Sequence, residues 1–84
     1  MQVVLITNSA FLPTFLTLHV GGSVRWVNQD GIAHTATPTQ GGFQDTGQIG
    51  GHQTATRYFS VIGRFPFVCT IHPQMRAEVT VVGD

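Results

Sequence analysis

Cys69, the only cysteine of the chain, opens the run Cys69-Thr70-Ile71-His72-Pro73-Gln74-Met75, so a thiolate, an imidazole and a thioether recur at every third position. Donors of that softness suit a transition metal, and copper best, because Cys and His coordinate strongly while a thioether makes a weak axial contact. Such a trigonal centre needs a second imidazole from another segment. His34, 35 residues before Cys69, is the leading candidate, carried by Asp30-Gly31-Ile32-Ala33-His34-Thr35. His34, Cys69 and His72 would then form the plane, with Met75 on the axis. A cysteine by itself is more often a small buried hydrophobe; the four residues together carry the ligand reading. Structural zinc is the remaining metal, disfavoured by a thioether as fourth ligand. His19 and His52 read as surface histidines, the first on an outward strand face and the second in a Gly-rich turn.

These donors must be held by strands. Short apolar runs recur between Gly, Pro and Asn punctuation, and no 3.6-residue apolar period lasts three turns. Residues 3–6 read as a first strand, ended by Asn8-Ser9. Residues 15–20 alternate, with Leu16, Leu18 and Val20 on one face and Thr17 and His19 on the other. Gly21-Gly22 turns into residues 23–28, where Val24 and Trp26 face inward and Arg25 outward. Asn28-Gln29-Asp30-Gly31 breaks that strand and delivers His34. Residues 35–51 hold five Gly and few apolar side chains, which predicts a long irregular connection with at most one short strand. Residues 54–61 form a strand with Phe59 and Val61 inward. Gly63 then turns into residues 65–69, whose alternation puts Phe65, Phe67 and Cys69 on one face and aims the thiolate inward. Pro66, on the opposite face, argues for an edge or a locally unpaired position. Residues 77–82 close the chain, and about seven short strands in all imply an all-β, two-sheet Greek-key β-sandwich.

Eighty-four residues make a single domain, residues 1–84, with little core to spare, so a bound metal would act as a staple. Four Arg are balanced by three Asp and one Glu, which leaves neither a nucleic-acid footprint nor an acidic tail. Partners must be recognised by shape and apolar contact. No run approaches the roughly 20 apolar residues of a membrane span. The start lacks the basic region and cleavage site of a signal peptide, so either the chain is made in the cytoplasm or Met1 replaces a removed leader.

With Gly22-Ser23-Val24-Arg25-Trp26-Val27-Asn28, Asp30 followed by His34, and Gly63 before an aromatic strand that ends in the Cys69–Met75 loop, the sequence resembles the cupredoxins. Among these it is most similar to the amicyanin and plastocyanin-like small blue copper proteins, and the short Cys-x-x-His-x-x-Met loop looks more like amicyanin. The resemblance implies one type 1 copper held by His34, Cys69, His72 and Met75, cycling between Cu(I) and Cu(II). It further implies outer-sphere electron transfer rather than enzymatic bond-making, a monomer, and a periplasmic or otherwise extracytoplasmic location. Phe11, Phe15, Phe65 and Phe67 would keep the metal dry. Redox proteins would dock where the His72 edge reaches the surface, ringed by Ile71, Pro73 and Pro38 with Ala33 and Phe11. Two departures stand out: many relatives carry Asn where this chain has Thr35, whose hydroxyl could tie the ligand loops together, and often Gly where it has Ala77. A copper carrier, or one domain of a larger copper redox protein, is the competing function. Three strong ligands on two rigid loops favour retention of the metal, and hence the electron shuttle.

Overall fold

A computed structural model describes residues 1–83; Asp84, the end of the expected 1–84 domain, lies outside the described residues. Eight strands form: β1 (Gln2–Thr7), β2 (Ala10–Leu12), β3 (Phe15–His19), β4 (Ser23–Asn28), β5 (Thr37–Pro38), β6 (Thr54–Tyr58), β7 (Gly63–Val68) and β8 (Arg76–Val82). They make two four-stranded sheets, β2-β1-β4-β6 and β3-β8-β7-β5. Each sheet is mixed: β1 runs parallel to β4 and β3 parallel to β8, while the other neighbours are antiparallel. The all-β two-sheet expectation holds, and no helix among the described residues is long and apolar enough to cross a membrane.

Period-two alternation sets the core. Leu16 and Leu18 of β3, Val24 and Trp26 of β4, Phe65 and Phe67 of β7, and Ala77, Val79 and Val81 of β8 turn their side chains between the sheets. A fully buried side chain of this kind contributes about 1.5–3 kcal/mol. The aromatic part is continuous: Phe67 meets Phe11 edge-on at 4.9 Å and Trp26 at 5.5 Å, and Phe43 stacks on Trp26 at 5.3 Å. Phe43 comes from the Gly-rich connection, so that segment is a plug for the core rather than a free loop.

Two expectations change, and for Pro66 the locally unpaired position, not the edge, is the one found. β6 stops at Tyr58, and Val61 is 55% exposed while Phe59 is buried, because the chain leaves the ladder and alternation lapses in the turn before Gly63. Pro66 sits in an interior strand, between β8 and β5. Its carbonyl accepts the Thr39 N–H at 3.1 Å, just past the end of β5, so the missing N–H faces a side where the neighbouring strand is only two residues long. Phe15 is 74% exposed and keeps nothing dry. The Asn8-Ser9 pair makes a two-residue hairpin turn between β1 and β2, both residues adopting positive φ (51° and 54°), as a type I′ turn requires.

Candidate metal centre

Cys69 follows directly on β7, continuing the inward face of Phe65 and Phe67, and its side chain is fully buried. The loop after it is short and self-bonded. Met75 N–H donates to the His72 carbonyl at 2.9 Å, and Cys69 N–H donates to the Met75 carbonyl at 3.1 Å, so all three donors of the run sit in one closed turn. Met75 itself is buried.

His34 arrives from the loop after β4. Asn28, fully buried at the end of β4, shapes that loop: its side-chain amide donates to the carbonyls of Ile32 (2.8 Å) and Ile49 (3.0 Å), and its side-chain oxygen accepts the Asp30 N–H (3.0 Å). A bridge between His34 and Ile49 then pins the histidine backbone, with N–H to carbonyl distances of 3.1 and 2.7 Å. The ring is oriented by Asp30, whose carboxylate lies 2.8 Å from His34 Nε2. An ionised carboxylate can only accept, so the proton resides on Nε2 and the Nδ1 lone pair is turned toward Cys69 Sγ, 3.7 Å away. The same carboxylate accepts the N–H groups of Asn8 and Ser9, each at 2.9 Å, which ties the hairpin turn to the histidine. The Ser9 amide lowers the Asp30 pKa against the cost of burial, and His34 and the Asn8 amide help.

His34, Cys69 and His72 each bring a ligand atom within 4.8 Å of the others, a spacing that two metal–ligand bonds of about 2 Å nearly span. The His34 and His72 rings are 5.0 Å apart, tilted by 52°. His72 Nδ1 is buried and has no hydrogen-bond partner, which is unusual for an imidazole nitrogen and is what a coordinating lone pair requires. Trp26 Nε1, inside the aromatic core, is also unpartnered, but an indole N–H can only donate and offers a metal no lone pair. Burial by itself would raise the Cys69 thiol, yet the Thr35 and His72 amides, the His34 ring and the Ile71 amide outweigh it and lower the pKa to about 6. The thiolate is therefore accessible near neutrality, and the donor set fits a soft or borderline metal.

Of the four expected ligands, three bring donor atoms together and Met75 is joined to them through its backbone. Thr35, singled out for the Asn it replaces, does tie the two ligand loops: its N–H points at Cys69 Sγ (3.4 Å) and its hydroxyl accepts the Thr70 N–H (2.9 Å). Asp30 and Asn28 were legible only as a turn; their side-chain roles needed the tertiary contacts. Ile71 and Pro73 are exposed beside a half-buried His72, and Ala33 and Pro38 are half-buried. Phe11 is 2% exposed and packs on Phe67, so it belongs to the core and not to a docking rim. His52 is exposed, at φ 63°, and His19 is exposed on β3, both outside the cluster.

No protein-family model and no curated protein sequence matches the chain. Solved structures do. The Cu(I) form of a methionine-to-alanine mutant of amicyanin aligns with a TM-score of 0.90 at 25% identity, over 96% of this chain and 81% of that one. The reduced Cu(I) form at pH 4 of a proline-to-glycine mutant of amicyanin gives 0.89 at 26% identity over the same shares. An oxidised methionine-to-leucine mutant of amicyanin gives 0.89 at 25%, again over 96% and 81%. With its two mixed sheets and its ligand-shaped cluster at the end of β7, this chain has an amicyanin-like cupredoxin fold.

Proposed function

We propose that the chain is a single-electron carrier built around one type 1 copper, which His34 Nδ1, Cys69 Sγ and His72 Nδ1 would hold together with the Met75 thioether. The observation that carries this reading is the convergence of two imidazoles and one thiol within 4.8 Å, with His72 Nδ1 buried and unpartnered. Copper, when bound, supplies a one-electron couple between Cu(I) and Cu(II).

The residues supply the rest. Asp30 and the Ile49 bridge hold His34 in one tautomer and orientation, and the Cys69–Met75 turn is closed by its own backbone bonds, so the ligands need move little between charge states. Phe67, on the same face of β7 as Cys69, and Phe11, packed on it at 4.9 Å, make the core beside Cys69 apolar. The half-buried His72, flanked by exposed Ile71 and Pro73, gives electrons a short way out through an apolar face that suits brief encounters with redox proteins. An extracytoplasmic setting is part of the same proposal and rests on the fold likeness. No bond-making step is assigned to the site.

The visible spectrum of the copper-loaded chain tests the reading. The oxidised protein is expected to show an intense thiolate-to-Cu(II) charge-transfer band that bleaches on reduction and disappears in Cys69→Ser. A colourless wild type, or a Cys69→Ser variant that keeps the band, would refute it.

A further inference from the structure

The connection over residues 35–51 does more than join two strands. Four side chains on or facing it form a line of hydrogen bonds that begins at an exposed carboxylate and ends on the ligand loop. Asp45 Oδ1 lies 3.0 Å from Thr37 Oγ1, Thr37 Oγ1 lies 2.9 Å from Thr35 Oγ1, and Thr35 Oγ1 lies 2.9 Å from Thr70 N and 3.3 Å from Thr70 Oγ1.

The chemistry of these groups gives the line a direction. An ionised carboxylate has no proton to offer, so Thr37 must donate to Asp45. A hydroxyl has one proton, so Thr37 can meet Thr35 only as acceptor, and Thr35 must donate to Thr37. With its proton used, Thr35 presents only lone pairs to Thr70 and can accept from both its N–H and its hydroxyl. Without the carboxylate, the Thr35–Thr37 proton could point either way, and one of the two arrangements aims the Thr35 hydroxyl proton at Thr70. Thr70 is the residue after Cys69, and Thr35 is also the residue whose N–H points at Cys69 Sγ at 3.4 Å.

The anchor is fixed in place. Asp45 Oδ1 also accepts the Gly47 N–H at 2.9 Å, and the carbonyls of Gln44 and Asp45 accept from the Arg57 guanidinium at 3.1 and 3.3 Å. Thr46 and Ala36 exchange a further pair of bonds, Ala36 N–H to Thr46 Oγ1 at 2.9 Å and Thr46 N–H to the Ala36 carbonyl at 3.3 Å. At the other end Thr35 is buried, so its bonds are little challenged by water.

We propose that Asp45 is a positioning residue for the Cys69 loop, acting through Thr37 and Thr35 to orient a hydroxyl chain that holds the Thr70 amide and, with it, the thiolate. Its electronic consequence rests on the copper reading; its mechanical consequence does not.

Amide hydrogen exchange of the full-length chain, metal-free and Cu(I)-loaded, separates the two. In Asp45→Ala and in the near-isosteric Thr37→Val, exchange at the Thr70 amide should quicken about fivefold, the loss of roughly one ordinary hydrogen bond, while the Val79 amide in the core stays unchanged. Thr37→Ser, which keeps the hydroxyl, should restore slow exchange. In the oxidised copper protein, Thr37→Val should shift the thiolate charge-transfer band and lower the reduction potential, and Thr37→Ser should return both. Unchanged Thr70 exchange in both variants overturns the proposal. So does acceleration at Thr70 that merely parallels Val79, since that marks a general loosening. A chain with the expected Thr70 behaviour but no coloured copper would sink the copper reading and leave the hydroxyl chain standing.

Discussion

At the residue scale the site is a matter of which lone pairs face which way. Cys69 gives a direct handle in the metal-free chain. Its thiol is lowered from 9.0 to about 6 on folding, so the thiolate stabilises the fold fully above pH 9, progressively less as the pH falls toward 6, and not at all below. The unfolding free energy of the metal-free protein, from urea titrations at a series of pH values, should therefore rise between about pH 6 and 9, and Cys69→Ser should flatten that slope. Met75 governs a different observable. A thioether favours Cu(I), so if Met75 helps hold copper, Met75→Gln, which offers a harder oxygen donor, is expected to lower the reduction potential measured by voltammetry. An unchanged potential would remove Met75 from the coordination sphere.

At the element scale the Gly-rich connection holds the least obvious structure. Its composition announced an irregular segment, and it does contain only the two-residue β5. What composition could not reveal is that Phe43 plugs the core against Trp26 while residues 44–47 latch onto residues 35–37. Gly42 makes this possible: it has φ 95°, and a Cβ there would lie 2.2 Å from the Phe65 ring. Gly42→Ala should therefore cost about 2–4 kcal/mol, from the left-handed backbone and the overpacked ring together. The urea midpoint reports this directly, and a loss below half a kcal/mol would show that the connection can repack. β7 makes the contrasting case, because its alternation of Phe65, Phe67 and Cys69 was readable in advance and its geometry followed from period two alone.

At the scale of the whole molecule, the sandwich places the Cys69 loop and the loop after β4 side by side, and leaves Ile71 and Pro73 exposed next to His72. If this face is where electrons pass, a charge introduced there should hinder the meeting of two copies more than it disturbs the metal. Pro73→Glu is expected to slow electron exchange between Cu(I) and Cu(II) copies by about tenfold, through like-charge repulsion across the contact, with the visible spectrum unaltered. Line broadening in NMR spectra of partly oxidised samples measures that rate, and an unaffected rate would move the docking face elsewhere.

The sequence by itself determined the donor types of the candidate site, the inward aim of Cys69 and the all-β architecture, because each depends on local spacing: three-residue steps in a turn and two-residue steps in a strand. Thr35 was also recognisable as the position where a link between loops is needed. Only the tertiary structure decided that Asp30 fixes the tautomer of His34, that Phe11 lies in the core rather than on a rim, that Val61 faces outward, and that Asp45 reaches the Cys69 loop through the two hydroxyls of Thr37 and Thr35. Those facts depend on contacts between residues far apart in the chain, and a side chain's partner across a fold has no signature in the spacing of its neighbours.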